Sequence, residues 1–152
     1  MFKIMVDADA CPVKPEIRQA AALHGVPVLM VASFDHRLQP EEGVQIVQVD
    51  RSSQSADLYI ANKVSPGDVL VTQDFGLAAL ALGKRAYAMS NRGQLYQDKS
   101  IDFLLERRHE QARLRRGGKY TKGPKPFTEQ DRQIFLQSLT KLLSRLQENH
   151  TT

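Results

Sequence analysis

The sequence predicts an α/β fold, a three-layer sandwich in which helices cover both faces of a mostly parallel five-stranded sheet. Short apolar segments alternate with helical segments over the first two thirds of the 152 residues. The segment 27–33, PVLMVAS, is almost continuously apolar, which is typical of a strand that is covered on both faces. Because strands separated by helices pair in parallel, we expect one such sheet in a single domain, 1–152.

Local patterns place the elements of this alternating region. Strands are predicted at 2–6, 27–33, 44–50, 68–72 and 85–90. Helices are predicted between them at 15–25, 55–64 and 75–84, whereas the pattern does not show whether the 33–44 connection contains a helix. Pro15 suits the first turn of its helix and Gly25 its end, and Ser55 is the expected cap of the second helix. The buried stripe of the first helix is predicted to contain Ile17, Ala20 and Ala21, with Leu23 as a further candidate.

The last third of the chain predicts a basic helix–loop–helix part at about 100–148. Its first helix is predicted at 101–118, and a basic loop rich in glycine and proline follows at 119–126. The last helix, 128–149, begins with Thr128 and Asp131 in the spacing of a capping box. Its apolar stripe is predicted to contain Ile134, Phe135, Leu139, Leu142, Leu143 and Leu146.

The composition excludes several classes of protein. Apolar residues make up 41% and charged residues 25% of the chain, as in ordinary globular domains. No apolar run approaches the roughly 20 residues that a membrane-spanning helix needs, so we expect no membrane segment. The N-terminal apolar run is too short for a signal peptide, and the single cysteine cannot form an internal disulfide. These features predict a cytoplasmic protein, and they leave the oligomeric state open.

The net charge of +4 is distributed unevenly along the chain. Residues 107–125 include eight basic side chains and one acid, so this segment carries a net charge of +7 and the rest of the chain −3. A basic segment combined with acids elsewhere favours the binding of a polyanion close to those acids. A solvated basic helix and loop explains the same charges equally well.

Four aspartates are the candidate site residues. Asp7 and Asp9 follow the first predicted strand, Asp74 follows the fourth, and Asp57 lies near the start of the helix before the fourth. If the first and fourth strands are neighbours, their acids meet at the sheet edge where ligands bind in open parallel sheets. Grouped carboxylates repel one another unless a cation neutralises them, and their oxygens suit Mg²⁺ or Mn²⁺. One or two such ions would support phosphodiester hydrolysis.

Two of these acids also have a purely structural interpretation. The helix dipole favours Asp57 near a helix N-terminus, and Asp74 could cap the helix that begins at Phe75. Either acid taken alone favours that interpretation. The arrival of acids from two separate strands at one edge favours the metal site.

Three other chemistries compete for the same residues. VDADA matches the opening of aspartyl phosphatases, in which the first Asp attacks phosphate. The later acid pair of those enzymes lies at one strand end, whereas Asp68 and Asp74 stand at opposite ends of a predicted strand, about 20 Å apart. A Cys-x5-Arg phosphate loop needs arginine at position 17, where the chain has Ile17, and nearby acids oppose a thiolate at Cys11. The histidines are scattered, and none is placed to form a catalytic pair with Cys11.

Several long motifs resemble the YaiI/YqxD family of uncharacterised bacterial proteins. These motifs are VDADACPVKPEIRQAA, SADLYIANKVSPGDVLVTQDFGLAALAL, NRGQLY and GPKPFTEQDRQIF, and the resemblance covers roughly residues 3–145. The family is similar to PIN-like nucleases, which implies a sheet of order 3-2-1-4-5 and an acidic metal site. In this resemblance Asp7, Asp57 and Asp74 match three metal-site acids, and Asp9 is an additional acid beside the first.

The chain departs from the PIN-like pattern at one place. PIN-like nucleases commonly have a further acid near the end of the fifth strand, where this chain has Ser90, Asn91 and Arg92. A site without that acid carries less negative charge. The departure favours an alternative function, in which the fold is kept as a non-catalytic module that binds nucleic acid or protein.

Taken together, the sequence predicts a metal-dependent nuclease that acts on RNA or another nucleic acid. The catalytic and Mg²⁺- or Mn²⁺-binding residues are expected to be Asp7, Asp9, Asp57 and Asp74. The residues expected to hold phosphates are Lys14, Arg92, Arg113, Arg115, Arg116, Lys119, Lys122 and Lys125. Lys14 and Arg92 could equally be surface charges or ion-pair partners of the acids. A small-molecule phosphatase of the aspartyl type is the less favoured third function.

Overall fold

A parallel sheet forms the centre of the computed structural model, which describes residues 2–33, 41–50, 53–97 and 126–150. The five strands have the order β3-β2-β1-β4-β5, and every neighbouring pair is parallel. The strands are β1 (Ile4–Asp7), β2 (Val28–Ser33), β3 (Val44–Val49), β4 (Val69–Val71) and β5 (Tyr87–Met89). This is the predicted α/β fold, and its sheet order is the one that the family resemblance implies.

Helices cover both faces of this sheet. The α-helices in the described ranges are α1 (Lys14–His24), α2 (Ser53–Lys63), α3 (Phe75–Gly83) and α4 (Glu129–His150). Helices α1 and α4 bury their apolar residues on one face, and α2 and α3 bury theirs on the other. A short 3₁₀ helix, Ala8–Ala10, directly follows β1 and precedes α1.

The alternation of side chains along β1 shows how one strand serves both halves of the core. Ile4 and Val6 pack with α1 and α4, whereas Met5 packs with α2 and α3. All three side chains are fully buried, as expected for a central strand of a doubly covered sheet. Buried on both faces, β1 therefore has a fixed register, and the residue at its end is placed precisely.

The start of α4 confirms the predicted capping box. The Thr128 hydroxyl accepts a hydrogen bond from the Asp131 amide at 3.1 Å, and the Asp131 carboxylate accepts one from the Thr128 amide at 2.9 Å. These reciprocal bonds satisfy two amides that a helix N-terminus leaves without partners. They also hold the pKa of the Asp131 carboxyl below its usual value, with the Thr128 amide as the main cause.

Three details of the sequence prediction are wrong. Ser55 lies inside the first turn of α2 and does not cap it, because the helix already begins at Ser53. Leu23 is 76% exposed and Ile134 is 44% exposed, so neither belongs to the buried stripe of its helix. Both residues lie at the border of an apolar stripe, where spacing alone does not decide whether a side chain reaches the core.

Several sequence predictions fall outside the described residues. These are the helix at 101–118, the loop at 119–126 except its last residue, and most of the 33–44 connection. The helix–loop–helix part is therefore described only from Pro126 onward, and its organisation within a single domain stays a prediction. The described residues contain no helix that is long and apolar enough to cross a membrane.

Candidate metal site

The end of β1 lies beside the end of β4, and each strand delivers an aspartate to the same edge of the sheet. Asp7 is the last residue of β1, and Asp74 follows β4 by three residues. The two strands pair directly in parallel, with Val6 opposite Val71. We call this side, where the strands end, the carboxyl edge, and the opposite side, where they begin, the amino edge.

Thr72 connects the two acids at the carboxyl edge. Its hydroxyl donates to Asp7 Oδ2 at 3.1 Å and accepts from the Asp74 amide at 3.0 Å. The Thr72 side chain is buried, so neither bond competes with bulk water. One hydroxyl therefore fixes the Asp7 carboxylate in relation to the backbone that carries Asp74.

Asp74 also caps α3. Its Oδ1 atom accepts a hydrogen bond from the Leu77 amide at 3.0 Å, which is the geometry of a helix N-cap. The cap uses one carboxylate oxygen and fixes the orientation of the group, while the second oxygen has no partner in the described ranges. The capping role and a ligand role for Asp74 are therefore compatible.

Asp57 reaches the same acids from α2. It is the fifth residue of this helix and lies in its second turn. Burial is the larger cause that raises the pKa of the Asp57 carboxyl, and the charge of Asp74 is the second. The charge of Asp57 in turn is one of the causes that raise the pKa of Asp7, at the end of β1.

Asp9 lies on the other side of Asp7 and has a different partner. Both of its carboxylate oxygens accept from the Ser33 amide at the end of β2, at 2.9 and 3.1 Å. This contact joins the 3₁₀ turn after β1 to the neighbouring strand. Asp9 still contributes the smallest of the electrostatic effects that raise the pKa of Asp7.

In the part of the chain that the structure describes, the central acids have no cation as an ion-pair partner. Burial is the largest cause that raises the pKa of Asp7, followed among the raising causes by the charges of Asp57, Asp74 and Asp9. Within the described segments, Asp7, Asp57 and Asp74 form no ion pair. No group of three or more histidine, cysteine or acidic side chains is close enough in those segments to hold an ion by itself. Among the described residues, the negative charge of Asp7 and Asp74 at the carboxyl edge is therefore uncompensated.

Asn91 adds a buried acceptor beside this charge. Its amide nitrogen Nδ2 donates to the Ala10 carbonyl at 3.2 Å, and its backbone amide donates to Gln73 Oε1 at 2.9 Å. The side chain is only 5% exposed, and its Oδ1 atom has no hydrogen-bond partner in the described part of the chain. Because only Nδ2 can donate to a carbonyl, this contact fixes which side-chain atom is left without a partner.

The predicted phosphate-binding residues divide into two described residues and six that lie outside the described ranges. Lys14 Nζ donates to the Cys11 carbonyl at 3.0 Å, and Arg92 pairs with Asp131 at 2.8 Å. Arg92 thus forms an ion pair, but its partner is at the start of α4 and is not one of the four candidate acids. The other six, Arg113, Arg115, Arg116, Lys119, Lys122 and Lys125, lie outside the described residues.

Cys11 has a packing role, and its environment does not favour a thiolate. The residue is buried in the core between the sheet and helices α1 and α4. Burial raises the pKa of its thiol to about 11, so the group is neutral at physiological pH.

Sequence reasoning missed Thr72 and Arg132. Thr72 could have been found, since it is a polar residue at the junction between the apolar run of β4 and Asp74. Arg132 gave no comparable signal, because a single arginine on an amphipathic helix is typical of any exposed face. In the structure, its guanidinium contacts the Pro12 carbonyl at 2.6 Å, close in sequence to the acids.

Fold and site together define the class of protein: a parallel α/β domain with uncompensated acids at its carboxyl edge. The chain belongs to the YaiI/YqxD family, because the family model described as "Uncharacterized BCR, YaiI/YqxD family" matches residues 5–145. UPF0178 protein lwe1471 of Listeria welshimeri is 45% identical over 141 residues, which are 93% of this chain and 95% of the relative. UPF0178 protein Bcer98_3021 of Bacillus cytotoxicus is 47% identical over 142 residues, which are 93% of each chain.

A solved structure has a weaker similarity. A mutant of Rae1 (YacP) from Bacillus subtilis superposes with a TM-score of 0.46 at 13% sequence identity. The match covers 98% of this chain and 99% of that chain.

Proposed function

We propose that this protein is a divalent-metal-dependent phosphodiesterase that cleaves RNA or another nucleic acid. One observation carries the proposal: two neighbouring strands bring Asp7 and Asp74 to one buried hydroxyl, and no described cation pairs with either acid. Repulsion and burial make such an arrangement costly for the empty protein. A bound cation removes that cost.

The donor set fits Mg²⁺ or Mn²⁺. Both ions prefer oxygen donors, and Mg²⁺ usually keeps several waters and binds through one or two carboxylates together with substrate phosphates. Asp7 and Asp74 would ligate directly, while Asp57 and Asp9 would contact ion-bound water. The unpartnered Asn91 Oδ1 supports the same assignment, since water in the coordination shell is a donor that this buried acceptor lacks. The ion would lower the pKa of a bound water and polarise a phosphate oxygen.

The protein's own residues orient this site. The Thr72 hydroxyl holds the Asp7 carboxylate, and the Leu77 amide holds that of Asp74. Tyr96 donates its hydroxyl to the Thr72 carbonyl at 3.1 Å, and burial raises its pKa to about 12. The phenol therefore stays protonated and keeps this contact throughout the physiological pH range.

Basic residues supply the second requirement of a nuclease, which is affinity for phosphates. Arg92 contacts the Phe127 ring at 5.4 Å, so the chain returns to the carboxyl edge only two residues after Lys125. Phe127, which follows the basic segment in the sequence, therefore lies against a residue of the turn after β5. Phosphate contacts by lysine and arginine give affinity without sequence preference.

The proposal is tested with three substrates in the presence of Mn²⁺: single-stranded RNA, single-stranded DNA and p-nitrophenyl phosphate. We expect RNA cleavage by the wild type and a loss of about a hundredfold or more in Asp7→Asn and in Asp74→Asn. Both variants keep the local hydrogen bonds, because asparagine can still accept from Thr72 and is a good N-cap. Glu42→Gln removes one exposed acid at the amino edge and serves as the matched control.

The alternative function is a non-catalytic module that binds nucleic acid or protein. It is favoured by the neutral amide of Asn91, where PIN-like nucleases commonly have an acid. RNA binding without turnover in Mn²⁺ would support this module and contradict the nuclease. Turnover of p-nitrophenyl phosphate alone would support the phosphatase, although Asp68 is buried with Lys3 at the amino edge and cannot complete an acid pair with Asp74.

A further inference from the structure

We propose that Lys14, Arg92 and Arg132 form a subsite for a backbone phosphate of the nucleic-acid strand, adjacent to the phosphodiester that is cut at the carboxyl edge. This inference rests on the proposed function and adds to it the place where the strand is held. It introduces Arg132 and Phe127 as functional residues and gives a structural setting to Lys14 and Arg92.

Two of these cations, Lys14 and Arg132, bind carbonyl groups of the same backbone segment. The oxygens of Ala10, Cys11 and Pro12 accept from Asn91 Nδ2 at 3.2 Å, Lys14 Nζ at 3.0 Å and Arg132 Nη1 at 2.6 Å. We call these oxygens the carbonyl row. The Lys14 ammonium and the Arg132 guanidinium thus bind consecutive carbonyl groups of one short backbone segment. The carbonyl row begins directly after Asp9 in the sequence, at the end of the 3₁₀ turn that follows Asp7.

The remaining cation, Arg92, contacts the same aromatic ring as Arg132. The guanidinium carbons of Arg92 and Arg132 each lie 5.4 Å from the centroid of the Phe127 ring. Phe127 therefore contacts two arginines that come from different elements, the turn after β5 and the helix α4. Such cation–π contacts orient the guanidinium groups and leave N–H donors at their edges available to a ligand.

The charges in this group are only partly balanced. Arg92 pairs with Asp131, and Arg132 contacts Glu16 at 3.1 Å through the same nitrogen that binds Pro12. Lys14 has no carboxylate partner in the described ranges. The remaining guanidinium N–H groups of Arg132 also have no hydrogen-bond partner in those ranges. Phosphate is the anion that fits an arginine fork beside a lysine ammonium.

The experiment measures the binding of a fluorescent 15-nucleotide uridine strand in EDTA, where affinity does not depend on cleavage. We expect Arg132→Gln to weaken binding about 3- to 10-fold and to reduce the slope of log affinity against log salt by about 1. Glutamine removes the positive charge and keeps a shorter polar side chain with an amide donor. Arg145→Gln, on the same helix but about 20 Å away along its axis, should bind within about twofold of the wild type.

Glu16→Gln separates phosphate binding from a structural ion pair. If the Arg132–Glu16 pair only holds α1 against α4, both partners should behave alike. If Arg132 binds phosphate, Glu16→Gln should tighten binding by about twofold or more, since it removes a competing negative charge and frees a donor. The two substitutions then have opposite signs, and the urea unfolding of each variant shows whether it is folded.

Three results would overturn the subsite: no binding by the folded wild type, wild-type affinity and salt slope in Arg132→Gln, or weakened binding in Glu16→Gln. Failure of the proposed function has a different signature. In that case the strand binds with the expected pattern of variants in EDTA, but it is not cleaved when Mn²⁺ is added.

Discussion

The two edges of the same sheet differ in how their acids are compensated: Asp68 at the amino edge is buried, whereas Asp7 at the carboxyl edge is half-buried. At the amino edge, Asp68 is 2% exposed and accepts hydrogen bonds from Lys3 Nζ at 2.6 Å, from the Lys3 amide at 3.1 Å and from the Ser65 amide at 2.8 Å. At the carboxyl edge, Asp7 accepts a hydrogen bond from the Thr72 hydroxyl, and the charges in the described segments that act on its pKa are those of other aspartates. A compensated acid stabilises the fold, whereas an uncompensated one reduces stability until a ligand arrives.

This difference indicates different roles for the two edges, stabilisation of the fold at the amino edge and ligand binding at the carboxyl edge. The amino edge joins β1 to β4 through a charged pair whose partners are 65 residues apart in sequence. The carboxyl edge joins the same two strands through a neutral hydroxyl, which leaves the carboxylate charge available. Replacing aspartate by asparagine, a change of charge with little change of shape, should therefore have opposite effects on stability at the two edges.

The largest effect on stability is expected at the amino edge. Asp68→Asn leaves the Lys3 ammonium without its carboxylate, so the free energy of unfolding should fall by about 3 kcal/mol. Urea denaturation at pH 7 measures this change. RNA cleavage per folded molecule should stay at the wild-type level, because Asp68 lies at the far end of β4. A loss smaller than about 1 kcal/mol would show that the pair is not the main support of this edge.

The connection between the two acids at the carboxyl edge is tested by Thr72→Val. The substitution removes the hydroxyl that donates to Asp7 and accepts from the Asp74 amide, so we expect kcat to fall about 10- to 100-fold and the stability by about 1–3 kcal/mol. Thr72→Ser keeps the hydroxyl and should restore most of kcat. Equal kcat values for the valine and serine variants would contradict a positioning role, whatever their stabilities.

The smallest effect on stability is expected for Asp7→Asn, which should stabilise the protein, whereas Asp68→Asn should destabilise it. Burial and the neighbouring acids raise the pKa of Asp7 in the folded state, so the folded protein releases this proton at a higher pH than the unfolded chain. Stability from this group is complete below the unfolded value of 3.8 and is lost as the pH rises through the folded pKa. In chelator at pH 7, Asp7→Asn should therefore unfold about 2–4 °C above the wild type.

The pH dependence provides the check on this third prediction. The advantage of Asp7→Asn should shrink as the pH is lowered toward 4, where the wild-type carboxyl becomes protonated. Differential scanning fluorimetry between pH 4 and 7 measures both unfolding temperatures. A variant that unfolds below the wild type across this range would mean that Asp7 is already compensated without a metal.

The sequence contained most of the fold. Apolar runs, the alternation of residues 44–50 and the intervening helices predicted all five strands to within about two residues. A central strand buried on both faces gives a continuous apolar run, and the edge strand β3 gives an alternating one. The capping box at Thr128 was readable for a similar reason, since its interactions are local. Ser55, Leu23 and Ile134 were misassigned because helix starts and stripe borders depend on neighbouring elements.

The candidate site was predictable in its acids but not in their partners. Asp7 and Asp74 could be placed because a residue that follows a parallel strand has one possible sheet edge. The contacts of Asp9 with Ser33 and of Arg92 with Asp131 required the structure, since they join elements that are far apart in sequence. The ligand role of the four acids and the phosphate contacts of the basic segment stay predictions.

By itself, the sequence determined which acids lie at each edge of the sheet. The local spacing of apolar residues shows where each strand begins and ends and that helices alternate with strands. Only the tertiary structure decided which of those acids is neutralised. Asp68 and Asp7 each find their decisive partner 65 residues away, a lysine in one case and a threonine in the other. Charge compensation depends on such distant contacts, and it is what distinguishes the stabilising acid from the candidate metal ligand.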